Sequence, residues 1–457
     1  MPRDIRLIRS SLSIAGMVLT TISAVLFLVV FLADLFGLHT NPYVGVLVFL
    51  VLPAIFLVGL ALIPLGAWLE RRRRLAGKPP TDIRWPSLDL NDPIQRQRAV
   101  VIFALTMANV VIVSLAAYRG VDYMDSPAFC GQVCHTVMKP EFVAYQDGAH
   151  ARVACVQCHI GPGASSFTKA KLSGVRRLMR ATFQTYARPI PPVQDLRPAR
   201  EICERCHWPE QLHGDRIKRM VEYGNDEKNT ESVTTLGVHV GGGSERLGTA
   251  TGIHWHMNVS NEIEYVATGG QRESIPYVRL KDRFGTVREY VVDGTTAAQL
   301  DKGERRRMDC MDCHNRPSHR MAATPERAVD DVMARGGIPK TLPFIRREAV
   351  KALKAAFPSH EAAGAEISRT VLEFYRTGYE PIYVAQRQDI DKAASAIAGI
   401  YRRNVFPEMN VQFGTYPNNI GHVDTPGCFR CHDDNHKSKD GKKIGQDCET
   451  CHSIATS

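Results

Sequence analysis

The amino-acid sequence predicts three transmembrane helices carrying a mostly α outer domain with a small β-rich insertion. That outer domain is organised around repeated cysteine motifs rather than one apolar core. Three observations predict it. Almost all strongly apolar sequence lies before residue 120 of the 457, in three runs. All 12 cysteines fall in close pairs, and each pair is followed at once by a histidine. Between the later motifs, helical periodicity alternates with short strand-like segments.

The apolar runs cover roughly residues 12–36, 43–69 and 99–118, each near the ~20 residues that cross the hydrocarbon core. Pro53 and Pro64 fall inside the second run, where a span tolerates them if its neighbours satisfy the freed carbonyls. Arg3, Arg6 and Arg9 precede the first run. Arg71, Arg72, Arg73, Arg74, Lys78, Arg84, Arg96 and Arg98 crowd the loop between the second and third, while residues 37–43 carry no Lys or Arg. The positive-inside rule then puts the N-terminus and the basic loop 70–98 in the cytoplasm and everything after Tyr118 outside. The expected location is a bacterial cytoplasmic (inner) membrane with a periplasmic outer domain. The first run exceeds the about 7–15 residues of a cleaved signal and no A-x-A site follows, so an uncleaved anchor is expected. Asp34, near the outer end of this run, reads as an interfacial residue. The net charge of +10 partly reflects these orientation signals. Tethering by three spans in the lipid bilayer excludes nucleic acid as the natural partner.

The cysteine motifs are CGQVCH (130–135), CVQCH (155–159), CERCH (203–207), CMDCH (310–314), CFRCH (428–432) and CETCH (448–452). C-x-x-C-H attaches haem c: the two thiols bond to the porphyrin vinyl groups and the histidine is placed under the iron. Zinc knuckles and thioredoxin-like pairs share the cysteine spacing but do not require histidine after every second cysteine. The expected cofactors are six covalently bound haem c groups, and the fold class is a membrane-anchored multihaem cytochrome c. Attachment falls to Cys130 and Cys134, Cys155 and Cys158, Cys203 and Cys206, Cys310 and Cys313, Cys428 and Cys431, and Cys448 and Cys451. The proximal ligands are His135, His159, His207, His314, His432 and His452. The first motif has one residue too many between its cysteines. Two thioether bonds across a bulged loop are still expected there, with the ligand open between His135 and Met138.

Each motif fills one axial position, and low-spin electron-transfer haems take a second strong donor. Candidates outside the motifs are His150, His213, His319, His422 and His436, together with one or both of His254 and His256. If the His254 segment is a strand, those two share a face. His239 is open between roles, His360 at a helix start reads as structural, and His39 in the span loop is unassigned.

Residues 1–120 thus form the anchor. Residues 121–215 hold three motifs and a helix over 165–187, in which Phe167, Leu172, Val175, Leu178, Met179 and Phe183 recur near the 3.6 period. Residues 216–305 form the β-rich insertion, with a hairpin turn at Asp282–Gly285. Residues 306–457 carry the last three motifs and a helical connector over 323–403. Only 16 residues separate Cys431 from Cys448, so the last two haems are expected to be neighbours.

Residues 99–215 resemble the NapC/NirT family of membrane-anchored multihaem cytochromes, through the apolar span, SPAFCGQVCHTVMKPEFVAYQDGAH, CVQCHIGPG and REICERCHWPE. The resemblance implies electron flow from the membrane quinone pool, with quinol as substrate, to a periplasmic or outer-membrane redox partner, and a first haem near the membrane surface. It also implies a basic residue beside the quinol, matched by Lys169 or Lys171. The acidic residue of that pattern has no counterpart at the matching place, and Glu141, Asp122 and Asp125 are the substitutes. Two extra N-terminal spans and three extra motifs depart from the short family members. The expected function is therefore quinol dehydrogenation. The alternatives are the same relay run in reverse as a quinone reductase, a docking subunit of a larger respiratory complex, and a terminal reductase of a small oxyanion, which would need an open iron position.

Overall fold

The structure, a computed structural model, describes residues 10–35, 52–77, 91–133, 135–161, 164–192, 198–208, 212–241, 251–258 and 261–455. The chain divides into two compact units, Met1–Phe129 and Cys130–Ser457.

The first unit contains α1 (Ser11–Leu35), α2 (Leu52–Leu75) and α3 (Pro93–Asp125). All three helices are long and apolar enough to cross a membrane. The Asp92 side chain caps α3 by accepting from the Ile94 N–H, and Pro93 follows at the first helical position, where no N–H is needed. The helix then runs past the apolar stretch to Asp125. Helices α1 and α2 meet along small residues, which let backbones approach where lipid supplies no hydrophobic drive. The Ser13 hydroxyl donates to the Ile63 carbonyl at 2.9 Å. A Cβ on Gly59 would lie 2.4 Å from Thr20 Oγ1 and 2.9 Å from the Gly16 carbonyl oxygen.

The second unit opens with α4 (His135–Gln146) and α5 (Ala164–Thr182). Helix α5 covers most of the helix expected over 165–187 but ends at Thr182, and its apolar stripe does not all turn inward: Met179 and, just beyond the helix, Phe183 are exposed. Two antiparallel sheets follow. One has the order β1 (Asp215–Tyr223), β2 (Glu231–His239), β8 (His452–Ala455). The other runs β6 (Glu304–Arg307), β3 (Glu262–Thr268), β4 (Ser274–Lys281), β5 (Val287–Val292), β7 (His436–Ser438). The β4–β5 turn falls at Asp282–Gly285, where the Gly285 N–H donates to the Asp282 carbonyl and Gly285 takes φ +80°. Each sheet is completed by a strand from the C-terminal segment, so the last two motifs are stitched to the central strands by backbone ladders.

Four helices carry the main apolar core: α6 (Pro325–Ala334), α7 (Ile345–Leu353), α8 (His360–Gly378) and α9 (Arg387–Asn404). Thr324 caps α6 and Ser359 caps α8, each accepting a backbone N–H. Ile345, Ile367, Tyr375, Ile390 and Ile397 are fully buried between them, each such burial contributing about 1.5–3 kcal/mol. Asn229, at the β1–β2 turn, ties the hairpin to this bundle. Its amide donates to the Lys340 and Leu342 carbonyls at 3.1 and 2.8 Å and its oxygen accepts from the Arg346 N–H at 3.0 Å.

Candidate haem centres

Each of the last five motifs is a single tight turn that brings its thiols and its histidine onto one loop. Cys155–His159 and Cys310–Cys313 are one-turn α-helices, and Cys203 ends another. Cys428 and Cys448 lie on 3₁₀ turns. The histidine N–H donates back to the first cysteine carbonyl at 2.8 Å in His207 and His314 and at 3.1 Å in His432. The first motif differs in kind. Phe129–Val133 form a π-helical turn, which holds one more residue per hydrogen-bonded loop than an α turn. The third residue between Cys130 and Cys134 is absorbed there. Gly131 leaves room for the Phe142 ring against this turn, because a Cβ at that position would meet the ring at 2.0 Å. Cys134 and the His135 side chain lie outside the described residues, and Met138 sits one turn along α4 from His135. No disulfide occurs among the described cysteines.

Five motif histidines each face a histidine from elsewhere in the chain. The ring centres are 6.0 Å apart for His207 and His150, 6.1 Å for His159 and His319, and 6.2 Å for His314 and His254. They are 5.8 Å apart for His432 and His256 and 6.1 Å for His452 and His422. Two imidazoles bound to opposite faces of one metal ion, at about 2 Å each and roughly 1 Å from nitrogen to ring centre, stand about 6 Å apart. Among the described residues no group of three His, Cys, Asp or Glu side chains converges to chelate a bare ion. Two donors per centre suit a metal whose equatorial positions are already filled, which is the case of haem iron.

The second ring nitrogens support the same fit. Nδ1 lies 3.2 Å from the Pro317 carbonyl in His150, 2.9 Å from Glu141 O in His319 and 2.9 Å from Val240 O in His254. In His256 it lies 2.8 Å from Ile253 O, and in His432 2.9 Å from Gly445 O. An N–H on Nδ1 donating to a carbonyl leaves Nε2 with a lone pair and fixes the ring's orientation. Burial pushes His159, His256, His314 and His319 down, His319 to about 4, so these rings stay neutral donors at physiological pH.

The motifs neighbour one another in chain order. Cys130 is hydrogen-bonded to Cys155, which pulls the Cys155 thiol down to about 7. Cys158 lies within electrostatic reach of Cys206, and Cys203 is hydrogen-bonded to Cys310. Cys313 lies within electrostatic reach of Cys428, and Cys428 within that of Cys451.

The remaining candidates sit differently. The 254–256 segment is a 3₁₀ turn, Ile253–Met257, rather than a strand, so the two rings diverge. His436 is buried with Nδ1 on Asp433 at 2.8 Å and Nε2 on the Ile275 carbonyl at 2.6 Å, so both nitrogens are engaged within the protein. His213 is exposed and is not among the five pairs. His239 contacts Asp215 at 3.0 Å, and His360 Nε2 contacts the Val405 carbonyl at 2.5 Å. The side chains of Lys169 and Lys171 lie outside the described residues, as does His39. Glu141 is half-buried in the second unit with its carboxylate 3.9 Å from Arg316, and desolvation raises its pKa against that cation's pull. Sequence reasoning missed Asp312, inside the fourth motif. Its buried carboxylate accepts from the Tyr265 hydroxyl at 2.5 Å and the Asp309 N–H at 2.7 Å, and burial raises its pKa. The only signal was an acid between two haem cysteines.

A family model described as the NapC/NirT cytochrome c family, N-terminal region, matches residues 93–189. The chain is 38% identical to the cytochrome c-type protein ImcH of Geobacter sulfurreducens over 446 residues, 97% of this chain and 87% of that protein. No solved structure matches.

Proposed function

The chain belongs to the NapC/NirT cytochrome c family, whose members transfer electrons at a membrane, and from that premise we propose that it is a hexahaem quinol dehydrogenase. It oxidises quinol at the outer face of a bacterial cytoplasmic membrane, releases the two protons outward, and delivers the electrons one at a time to a periplasmic or extracellular acceptor. The observation that carries this reading is the order of the motif neighbours. They follow the chain from Cys130, five positions beyond the end of α3, to Cys451 near the C-terminus.

Haem c held by the six cysteine pairs supplies one-electron carriers. The chain's own residues hold and tune them. His207 pairs with His150, His159 with His319, His314 with His254, His432 with His256, and His452 with His422. Backbone carbonyls orient four of the five distal rings: those of His150, His319, His254 and His256. His436 is left out of the ligand set because neither of its nitrogens is available. With two donors each, these five centres keep no open position for a small oxyanion, which favours transfer over terminal reduction. Lys169 and Lys171 are the basic residues assigned to orient the quinol. Glu141 positions His319 through its carbonyl and holds Arg316, rather than meeting the quinol.

The test is direct. Purified holoprotein is mixed with a reduced menaquinol analogue and the haem α-band is followed, with a pyridine haemochrome count beside it. Haem reduction by quinol and a count of six per chain are expected. Full reduction by dithionite with none by any quinol would remove the dehydrogenase reading and leave a docking subunit.

A further inference from the structure

Within the membrane unit, α1, α2 and α3 line a partly open cavity of about 270 Å³. It lies toward the end of the bundle at which α3 finishes: Phe27 of α1, Phe56 of α2, and Val113, Ala116 and Met124 of α3 face it. Among the described residues Ser23 is the one polar side chain in the lining, and its hydroxyl is already turned back on its own helix, 2.8 Å from the Leu19 carbonyl and 3.0 Å from that of Thr20. The described lining therefore offers hydrocarbon and a thioether and no spare side-chain hydrogen-bond donor. A quinol ring placed inside would leave its hydroxyls unmatched, at a cost typical of buried unpaired polar groups. Branched hydrocarbon meets no such penalty. An apolar cavity of ~150 Å³ holds one benzene-sized molecule, so this one has room for about two isoprene units.

We propose that this cavity takes the first isoprene units of a prenylquinol tail, leaving the ring outside the bundle at the end where α3 finishes. The inference rests on the quinol dehydrogenase reading above and adds where the substrate's tail is read. A phospholipid acyl chain has similar hydrocarbon chemistry, so the experiment must separate the two.

Full-length holoprotein in nanodiscs is photolabelled with a menaquinone carrying a diazirine on its second isoprene unit, and in parallel with a phospholipid carrying a diazirine mid-chain. Mass spectrometry of the peptides maps the sites. Expected is quinone label within residues 23–27, 52–56 and 113–124, competed by unlabelled menaquinone and not by unlabelled phospholipid. Phospholipid label in the cavity that menaquinone does not displace would overturn the proposal. So would quinone label confined to other segments. As a second measurement, Ala116→Phe fills the cavity and is expected to raise the ratio of KM for a prenylated quinol to KM for tail-less menadiol roughly tenfold. An unchanged ratio in a properly inserted variant counts against the cavity; where the variant fails to insert, labelling of the wild type decides. A wild-type protein that no quinol reduces sinks the dehydrogenase reading, whereas label elsewhere on a protein that quinol does reduce sinks only the cavity.

Discussion

His254 and His256 lie two positions apart on one 3₁₀ turn, yet their rings face different motifs, His314 at 6.2 Å and His432 at 5.8 Å. A 3₁₀ turn advances each residue by about a third of a revolution, so positions i and i+2 cannot share a face. In the proposed ligand set, one short segment thereby serves two successive centres. His256→Ala is expected to convert the centre at Cys428–His432 from low-spin to high-spin, leaving the centre at Cys310–His314 low-spin. His254→Ala should do the reverse. His436→Ala, which removes two buried hydrogen bonds and no ligand, should leave every spin state unchanged and cost about 1–3 kcal/mol of stability. Magnetic circular dichroism and thermal unfolding separate the three variants, and a high-spin centre in His436→Ala would restore that residue to the ligand set.

The ring planes make a second, independent prediction. His254 and His314 are 7° from parallel, whereas His256 and His432 are 84° apart. Parallel axial imidazoles split the iron d-orbitals strongly and give a rhombic low-spin EPR spectrum. Perpendicular ones leave two orbitals nearly degenerate and push one g value far out. The oxidised protein is expected to show both signal types, and His256→Ala should reduce the large-g signal while the rhombic one persists. A spectrum with rhombic signals only would contradict the perpendicular arrangement at His432.

The neighbour order predicts an interruption. The Cys203–Cys310 contact joins the third motif to the fourth, and the electrostatic reach between Cys313 and Cys428 joins the fourth to the fifth. Replacing both Cys310 and Cys313 by serine removes the centre in the middle of the line. Rapid mixing with quinol should then reduce the first three centres and leave the last two oxidised until dithionite is added. The haemochrome count of the variant, expected at five, verifies that only one centre is lost. Rapid reduction of the last two would mean that the line branches around the fourth motif.

Much of this was legible in the residues, and the reason differs by feature. Spans are set by composition, so three apolar runs with Arg71–Arg74 after the second sufficed to locate three helices. Covalent attachment leaves a contiguous motif, so the cysteines could be read one by one. The pairing of distal histidines is a tertiary property. His150 stands five positions before Cys155 in the sequence but faces His207 of the following motif, while His159 receives His319 from far along the chain. No local rule encodes that exchange. Strands β7 and β8 were invisible for a related reason: at three and four residues they show no alternation, and they exist because β5 and β2 offer them an edge. The π turn at Phe129–Val133 was visible as an odd spacing. What it does for the loop required Phe142, whose ring occupies the space a side chain at Gly131 would need.

The α1–α2 seam gives a prediction in the membrane unit. A methyl at Gly59 would lie 2.4 Å from Thr20 Oγ1, which itself donates to the Gly16 carbonyl at 2.8 Å. Gly59→Ala must displace the threonine side chain or part the helices, and overpacking of this kind costs about 1–3 kcal/mol. Thr20→Ala alone removes a hydroxyl that bonds only within its own helix and should cost little. The double variant Gly59→Ala, Thr20→Ala is expected to recover part of the loss, because the closest obstacle is gone. The Gly16 carbonyl, 2.9 Å from the new methyl, would remain in the way. Thermal unfolding of the detergent-solubilised protein, read as a double-mutant cycle, should therefore give a coupling energy between these positions of order 1 kcal/mol. Strict additivity would mean that the two helices do not approach at Gly59 as closely as this seam requires.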